Sequence, residues 1–172
     1  KSHTDEGYKH VVKRSDGTVF VDGVEDSEYD VGWIAGRNYL TQTTAEYKGA
    51  EWSSWDYTIQ DIDLPSNDLK YGDTITFRVY VKPTSGDIAA FLDFRAEDNS
   101  FRQFTGNAIS VGTEGYTQVT AVIPEVSSNG QPIVQVRVKL RNIIQSSVNA
   151  NTLYKLPKLE KGSTATDWTP AP

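Results

Sequence analysis

A chain of 172 residues has room for one domain and an appendage. It contains no Cys, which excludes disulfides and thiolate metal sites, and no apolar run near the ~18 residues of a membrane-spanning helix. A net charge of −6 argues against general nucleic-acid affinity, which needs a basic footprint, while a hydrophobic fraction of 37% is enough for a real core.

Residues 1–32 read as a polar, turn-rich connector. Ser15, Asp16, Gly17 and Thr18 suit a hairpin turn between Tyr8–Lys13 and Val19–Val21, and an acidic stretch, Glu25–Asp30, follows. The segment has too few apolar residues for a core of its own. The absence of Met suggests a piece of a longer protein, with this connector leading from an upstream domain. Trp33 is expected to anchor the connector to the second domain, residues 33–172.

From Gly36 onward the pattern is strands: Arg37–Thr44, Glu51–Leu64, Thr74–Lys82, Asp87–Arg95, Phe101–Phe104, Tyr116–Ile123, Ile133–Asn142 and Leu153–Leu159. Thr74–Lys82 alternates Ile75, Phe77, Val79 and Val81 with Thr76, Arg78, Tyr80 and Lys82. Asp87–Arg95 sets Ile88, Ala90, Leu92 and Phe94 against Ala89, Phe91, Asp93 and Arg95. Period-two patterning with turn signals and no helical stretch predicts an all-β fold, a two-sheet antiparallel β-sandwich or jelly roll. In the long second strand, Trp55 and Tyr57 are expected to pack inward with Ile59, leaving Trp52 at the rim.

The chain closes on Leu159, Glu160, Lys161, Gly162, a Ser-Thr-Ala-Thr run, then Asp167, Trp168 and a Pro-closed tail. A Trp so near an end is expected to fold back and cap a core. With Leu153–Lys161, this ending resembles the closing signature of carbohydrate-binding-module-like domains in tail and baseplate proteins of phages infecting Gram-positive (lactococcal or streptococcal type) bacteria. Tyr71–Lys82 is similar to a strand of that family, Asn38-Tyr39-Leu40 matches in part, and Asp16, Gly17, Thr18 and Phe20 resemble its linker segments weakly. The resemblance covers about residues 36–172. It implies a jelly roll and a non-catalytic virion component that binds host cell-surface polysaccharide outside the cell, beside other tail or baseplate proteins.

The residues agree that this is not an enzyme. The only histidines, His3 and His10, lie in the connector, and there is no Cys nucleophile and no Gly-rich phosphate loop. Asp93 with Glu97, and Asp61 with Asp63, are poor candidates for a glycosidase pair. Binding is better supported. Alternation throws Gln135, Arg137, Lys139 and Arg141 outward, with Arg78 and Tyr80 from one strand and Phe91, Asp93 and Arg95 from another. On one shared sheet these would form a platform in which rings stack on sugar faces and planar polar groups take hydroxyls. Trp52 is a second stacking candidate.

Five cations on that face (Arg78, Arg95, Arg137, Lys139, Arg141) would suit an anionic glycan such as a phosphodiester-linked wall polysaccharide. The competing reading is a solvated face with cross-strand pairs such as Arg137 with Asp93. No cofactor is required. The resemblance to sugar-binding jelly rolls leaves room for a structural Ca²⁺ with Asp167 as a ligand; otherwise Asp167 forms the turn before Trp168. A loop at Glu97–Ser100 or Asn142–Asn151 would decide whether the groove is open. Two other functions fit the same fold: a structural baseplate or tail adaptor that binds no sugar, and an accessory module of a secreted glycoside hydrolase. Weak single sites would gain from oligomerisation through an upstream segment.

Overall fold

The computed structural model describes residues 11–15, 19–21, 23–25, 36–66, 68–144 and 149–171. His3, His10, the turn residues Asp16–Thr18 and Trp33 lie outside the described residues. The chain forms two compact units, Lys1–Ala35 and Gly36–Pro172. In the first, β1 (Val11–Lys13), β2 (Val19–Val21) and β3 (Val24–Glu25) make a small antiparallel sheet, and the Arg14 guanidinium lies 4.2 Å from the Phe20 ring.

The second unit is the predicted all-β sandwich, and no helix occurs among the described residues. Its strands are β4 (Lys48–Trp52), β5 (Asp56–Asp63), β6 (Thr74–Ser85), β7 (Ile88–Ala96), β8 (Phe101–Ile109), β9 (Gly115–Val122), β10 (Ile133–Asn142) and β11 (Ala150–Lys161). One antiparallel sheet has the order β5-β10-β7-β8, the other β4-β11-β6-β9. The inward rows are those the alternation predicts, except at the start of β10, where alternation puts Val134 inward and a register shift between Ile133 and Gln135 buries Ile133 instead. Ile75, Phe77, Val79 and Val81 of β6 meet Ile88, Ala90, Leu92 and Phe94 of β7 and Val136, Val138 and Leu140 of β10 in one buried cluster.

Four elements depart from the sequence reading. The strand expected over Phe101–Phe104 runs on to Ile109 as β8. Residues 37–44 form no strand; they run beside β11, with Tyr39 N–H donating to Leu159 C=O and Leu156 N–H to Thr44 C=O. The long strand expected over Glu51–Leu64 is two strands in different sheets, β4 and β5, broken by a bend at residues 53–55. A bend resets the period of two, so Trp52 packs inward at 9% exposure and Trp55 stands out at 43%, the reverse of the expected arrangement. Tyr57 and Ile59 do pack against the core. Lastly, β11 shifts register between Lys155 and Lys158, where Leu156 takes φ 57°.

The sandwich is closed along one side by β8 and β9. Asn107 stands in for a peptide group: its Oδ1 accepts from Gln118 N–H at 2.9 Å and its Nδ2 donates to Tyr116 C=O at 3.1 Å. Gly106 allows this approach, because a Cβ there would lie 2.7 Å from the Gln118 carbonyl carbon and closer still to its oxygen.

Candidate functional site

Residues directly opposed across antiparallel strands share a face. On the outer face of β5-β10-β7-β8, Gln135 lies between Asp63 and Arg95, Arg137 between Asp61 and Asp93, Lys139 between Thr58 and Phe91, and Arg141 between Asp56 and Ala89. From β8, Phe101 and Gln103 flank Arg95 and Asp93. The seven candidates on β7 and β10 therefore come together. Arg78 and Tyr80 do not join them: β6 belongs to the other sheet, so the expected single platform is divided between opposite faces of the sandwich.

The face is built around a buried ion network. Asp93 is fully buried and accepts from Arg95 Nε with both oxygens at 2.9 Å, while Lys139 Nζ reaches its Oδ2 at 2.9 Å. Lys139, itself buried, also lies 3.5 Å from Asp56 Oδ2, and Arg141 Nε sits 3.6 Å from Asp56 Oδ1. The cross-strand pair expected between Arg137 and Asp93 does not form, because Arg95 and Lys139 already fill the carboxylate. Arg137 instead donates to Gln135 Oε1 at 2.8 Å, with no carboxylate within 4.0 Å among the described residues.

Phe91, expected as an open stacking ring, is fully buried. The Arg141 guanidinium covers it at 4.2 Å from the ring centre and lies 5.1 Å from the Trp55 ring. This face offers to solvent Trp55, Arg141 over Phe91, the Arg137–Gln135 pair, Phe101 beneath Arg95 at 4.8 Å, and the exposed Asp61 and Asp63. Trp52 offers nothing: its ring packs 5.6 Å from Tyr57 inside the sandwich. Trp55, Phe101, Gln103 and Asp56 were not among the sequence candidates. Phe101 and Gln103 alternate on a strand that reads too short, and Trp55 was hidden by the unforeseen bend.

Four cations on this face (Arg95, Arg137, Lys139, Arg141) meet four carboxylates (Asp56, Asp61, Asp63, Asp93), since β5 places its aspartates on the same side. The cationic excess on which the anionic ligand rested is absent from this face.

At the terminal seam the residues do not fit a calcium ion at Asp167. Its side chain is exposed, and its backbone carbonyl accepts from the buried ammonium of Lys158. Lys158 Nζ also donates to Thr166 Oγ1 at 2.7 Å and lies 3.6 Å from Glu160 Oε2, so a fixed positive charge stands where the ion was expected. Among the described residues no three of His, Cys, Asp or Glu are grouped to hold a metal ion.

No family model matches the chain, and no curated protein matches it. Among solved structures it is similar to the BppUct-A-L tripod from the baseplate of bacteriophage Tuc2009, with 20% identity and a TM-score of 0.51 over 98% of this chain and 68% of that one. It is also similar to the CBM22-1 xylan-binding domain from Paenibacillus barcinonensis Xyn10C, with 13% identity and a TM-score of 0.43 over 61% and 65% of the two chains. A third similar structure is the infectious bursal virus T=1 particle, with 10% identity and a TM-score of 0.44 over 82% and 36%. At these identities the likeness to the tripod establishes the β-sandwich fold.

Proposed function

We propose that this sandwich is a non-catalytic saccharide-binding module of a phage tail or baseplate protein, acting at the surface of a bacterial host, and that the outer face of β5-β10-β7-β8 receives the glycan. The observation that carries the reading is the Arg141 guanidinium fixed against Phe91 and exposed Trp55, with Arg137 turned outward and in no ion pair among the described residues. A flat ring beside planar, pre-positioned donors is the surface a pyranose needs: its C–H face stacks and its hydroxyls find directional partners. The closing motif and the likeness to a baseplate tripod support the viral setting. With charges balanced on this face, an uncharged saccharide suits it best.

Binding of the fluorescently labelled chain to intact Gram-positive cells and to purified wall polysaccharide tests the reading. Trp55→Ala with Arg137→Ala should remove the labelling while leaving the fold intact. Absence of labelling on every cell type would favour the adaptor reading, in which the face serves only assembly. One feature supports that second reading: Asp93, at the centre of the network, is fully engaged by Arg95 and Lys139 without a ligand.

A further inference from the structure

The outer face of the other sheet carries a second aromatic group that owes nothing to the first. Tyr80 on β6 stands between Lys155 of β11 and Tyr116 of β9, and Tyr47 joins them from the segment before β4. The Tyr80 and Tyr116 rings meet edge to face at 5.1 Å; Tyr47 and Tyr80 lie 6.5 Å apart. Tyr47 and Tyr116 are 39% and 41% exposed, more than a surface tyrosine needs for packing alone.

These rings are held in place. The hydroxyls of Tyr47 and Tyr80 both donate to Glu114 Oε2 at 3.0 Å. The Lys155 ammonium rides 4.4 Å from the Tyr47 ring centre and 5.2 Å from that of Tyr80, and the Arg78 guanidinium lies 4.3 Å from Tyr116. Preorganised rings bind with little loss of side-chain freedom. Several groups here are unspent. Glu114 Oε1, the Tyr116 hydroxyl and the Lys155 ammonium have no hydrogen-bond partner among the described residues.

The charges around these rings, unlike those of the first face, are not balanced. Lys82 and Lys155 act on Glu114, with Arg78 farther off over the Tyr116 ring, and the Glu114 carboxyl lies below the ordinary glutamate value because of the two tyrosine hydroxyls first and the two lysines after them. One acid among three cations repels a cationic ligand and attracts an anionic one. We infer that the Tyr47–Tyr80–Tyr116 face is a second, separate binding site, for a saccharide that bears acidic groups. The sugar ring stacks on Tyr116 and Tyr47, a hydroxyl donates to Glu114 Oε1, and the acidic group pairs with Lys155 and Lys82.

Affinity electrophoresis of the full chain through gels containing polygalacturonate, hyaluronan or a phosphodiester-linked hexose polymer tests this, with neutral dextran and xylan gels beside them. At least one acidic polymer should retard the protein, less strongly as salt rises. Tyr47→Ala with Tyr116→Ala should weaken that retardation about tenfold, as should Lys82→Gln with Lys155→Gln. Tyr116→Phe should keep most of it, and Trp55→Ala with Arg137→Ala should leave it unchanged. The inference is overturned if no acidic polymer retards the chain, or if the tyrosine double variant is retarded as strongly as the unaltered protein. Loss in the Trp55 and Arg137 variant alone would also overturn it, by placing all binding on the first face.

Discussion

Asp93 shows what a single carboxylate does on a surface that is no longer a surface. It points away from the core, yet Arg95 and Lys139 close over it completely. Removing one member of a buried pair strands the other charge, which costs about 3–5 kcal/mol. Asp93→Asn should therefore lower stability by an amount in that range in urea denaturation, whereas Arg137→Ala, which breaks no ion pair, should change it by less than about 0.5 kcal/mol. A neutral Asp93→Asn would mean that the network contributes nothing. Alternation made it legible that Asp93 and Lys139 face outward. It could not show that they are buried, because that depends on how the long chains of Arg95 and Arg141 lie across neighbouring strands. Glu114 gives a prediction of a different kind. Its folded-state value is depressed, so the contribution of the Tyr47 and Tyr80 hydrogen bonds is present above the ordinary glutamate value and is lost as pH falls through the folded one. The Glu114 Cδ resonance should titrate below the ordinary value, and Tyr47→Phe with Tyr80→Phe should move it back up. An unshifted midpoint in the unaltered protein would remove the anchor from the second face.

At the scale of elements, the informative places are where the chain changes sheets. Rows of Val, Ile and Phe on β6, β7, β9 and β10 announce themselves by period two, and all of them form where expected. Residues 53–55 do not, because Ser53 and Ser54 bend the chain without a Gly or Pro to mark the bend, and both Trp assignments fail with it. Tyr47 and Glu114 sit in connections, where no periodicity exists to read. The β8–β9 closure was also illegible: its two ingredients are a Gly and an Asn of a strand that reads four residues long. Gly106→Ala tests it. An added methyl cannot avoid the Gln118 backbone, and overpacking of this kind typically costs about 1–3 kcal/mol. The variant should unfold at lower denaturant, and the Gln118 amide, held by Asn107, should exchange its hydrogen faster than the amides of β10. Equal protection would show that the strands close by other means.

For the domain as a whole, the decisive joint is the one between its first and last segments. Asn38 is buried and spends every valence there: Oδ1 accepts from the Leu40 and Leu159 amides at 3.1 Å, and Nδ2 donates to the Pro157 and Thr169 carbonyls at 2.9 Å. The tail completes the joint. Thr166 binds both oxygens of Glu160, Trp168 Nε1 donates to Pro157 C=O at 3.1 Å, and Lys158 holds Thr166 and the Asp167 carbonyl. The closing motif, read from sequence as a cap, is thus a polar lock whose central charge is a lysine. Two outcomes follow from that. Asn38→Ala leaves the Leu40 and Leu159 amides without acceptors, at about 1–3 kcal/mol each. It should therefore destabilise the domain more than any single exposed tyrosine substitution on the second face. The thermal midpoint of the unaltered protein should be the same in EDTA as in millimolar Ca²⁺, because the Lys158 ammonium already neutralises Glu160 and occupies the Asp167 carbonyl. Lys158→Met should lower that midpoint in both conditions alike. A rise with Ca²⁺ in the unaltered chain, abolished by Asp167→Ala, would instead make the seam a metal site and return Asp167 to the role that its position suggested.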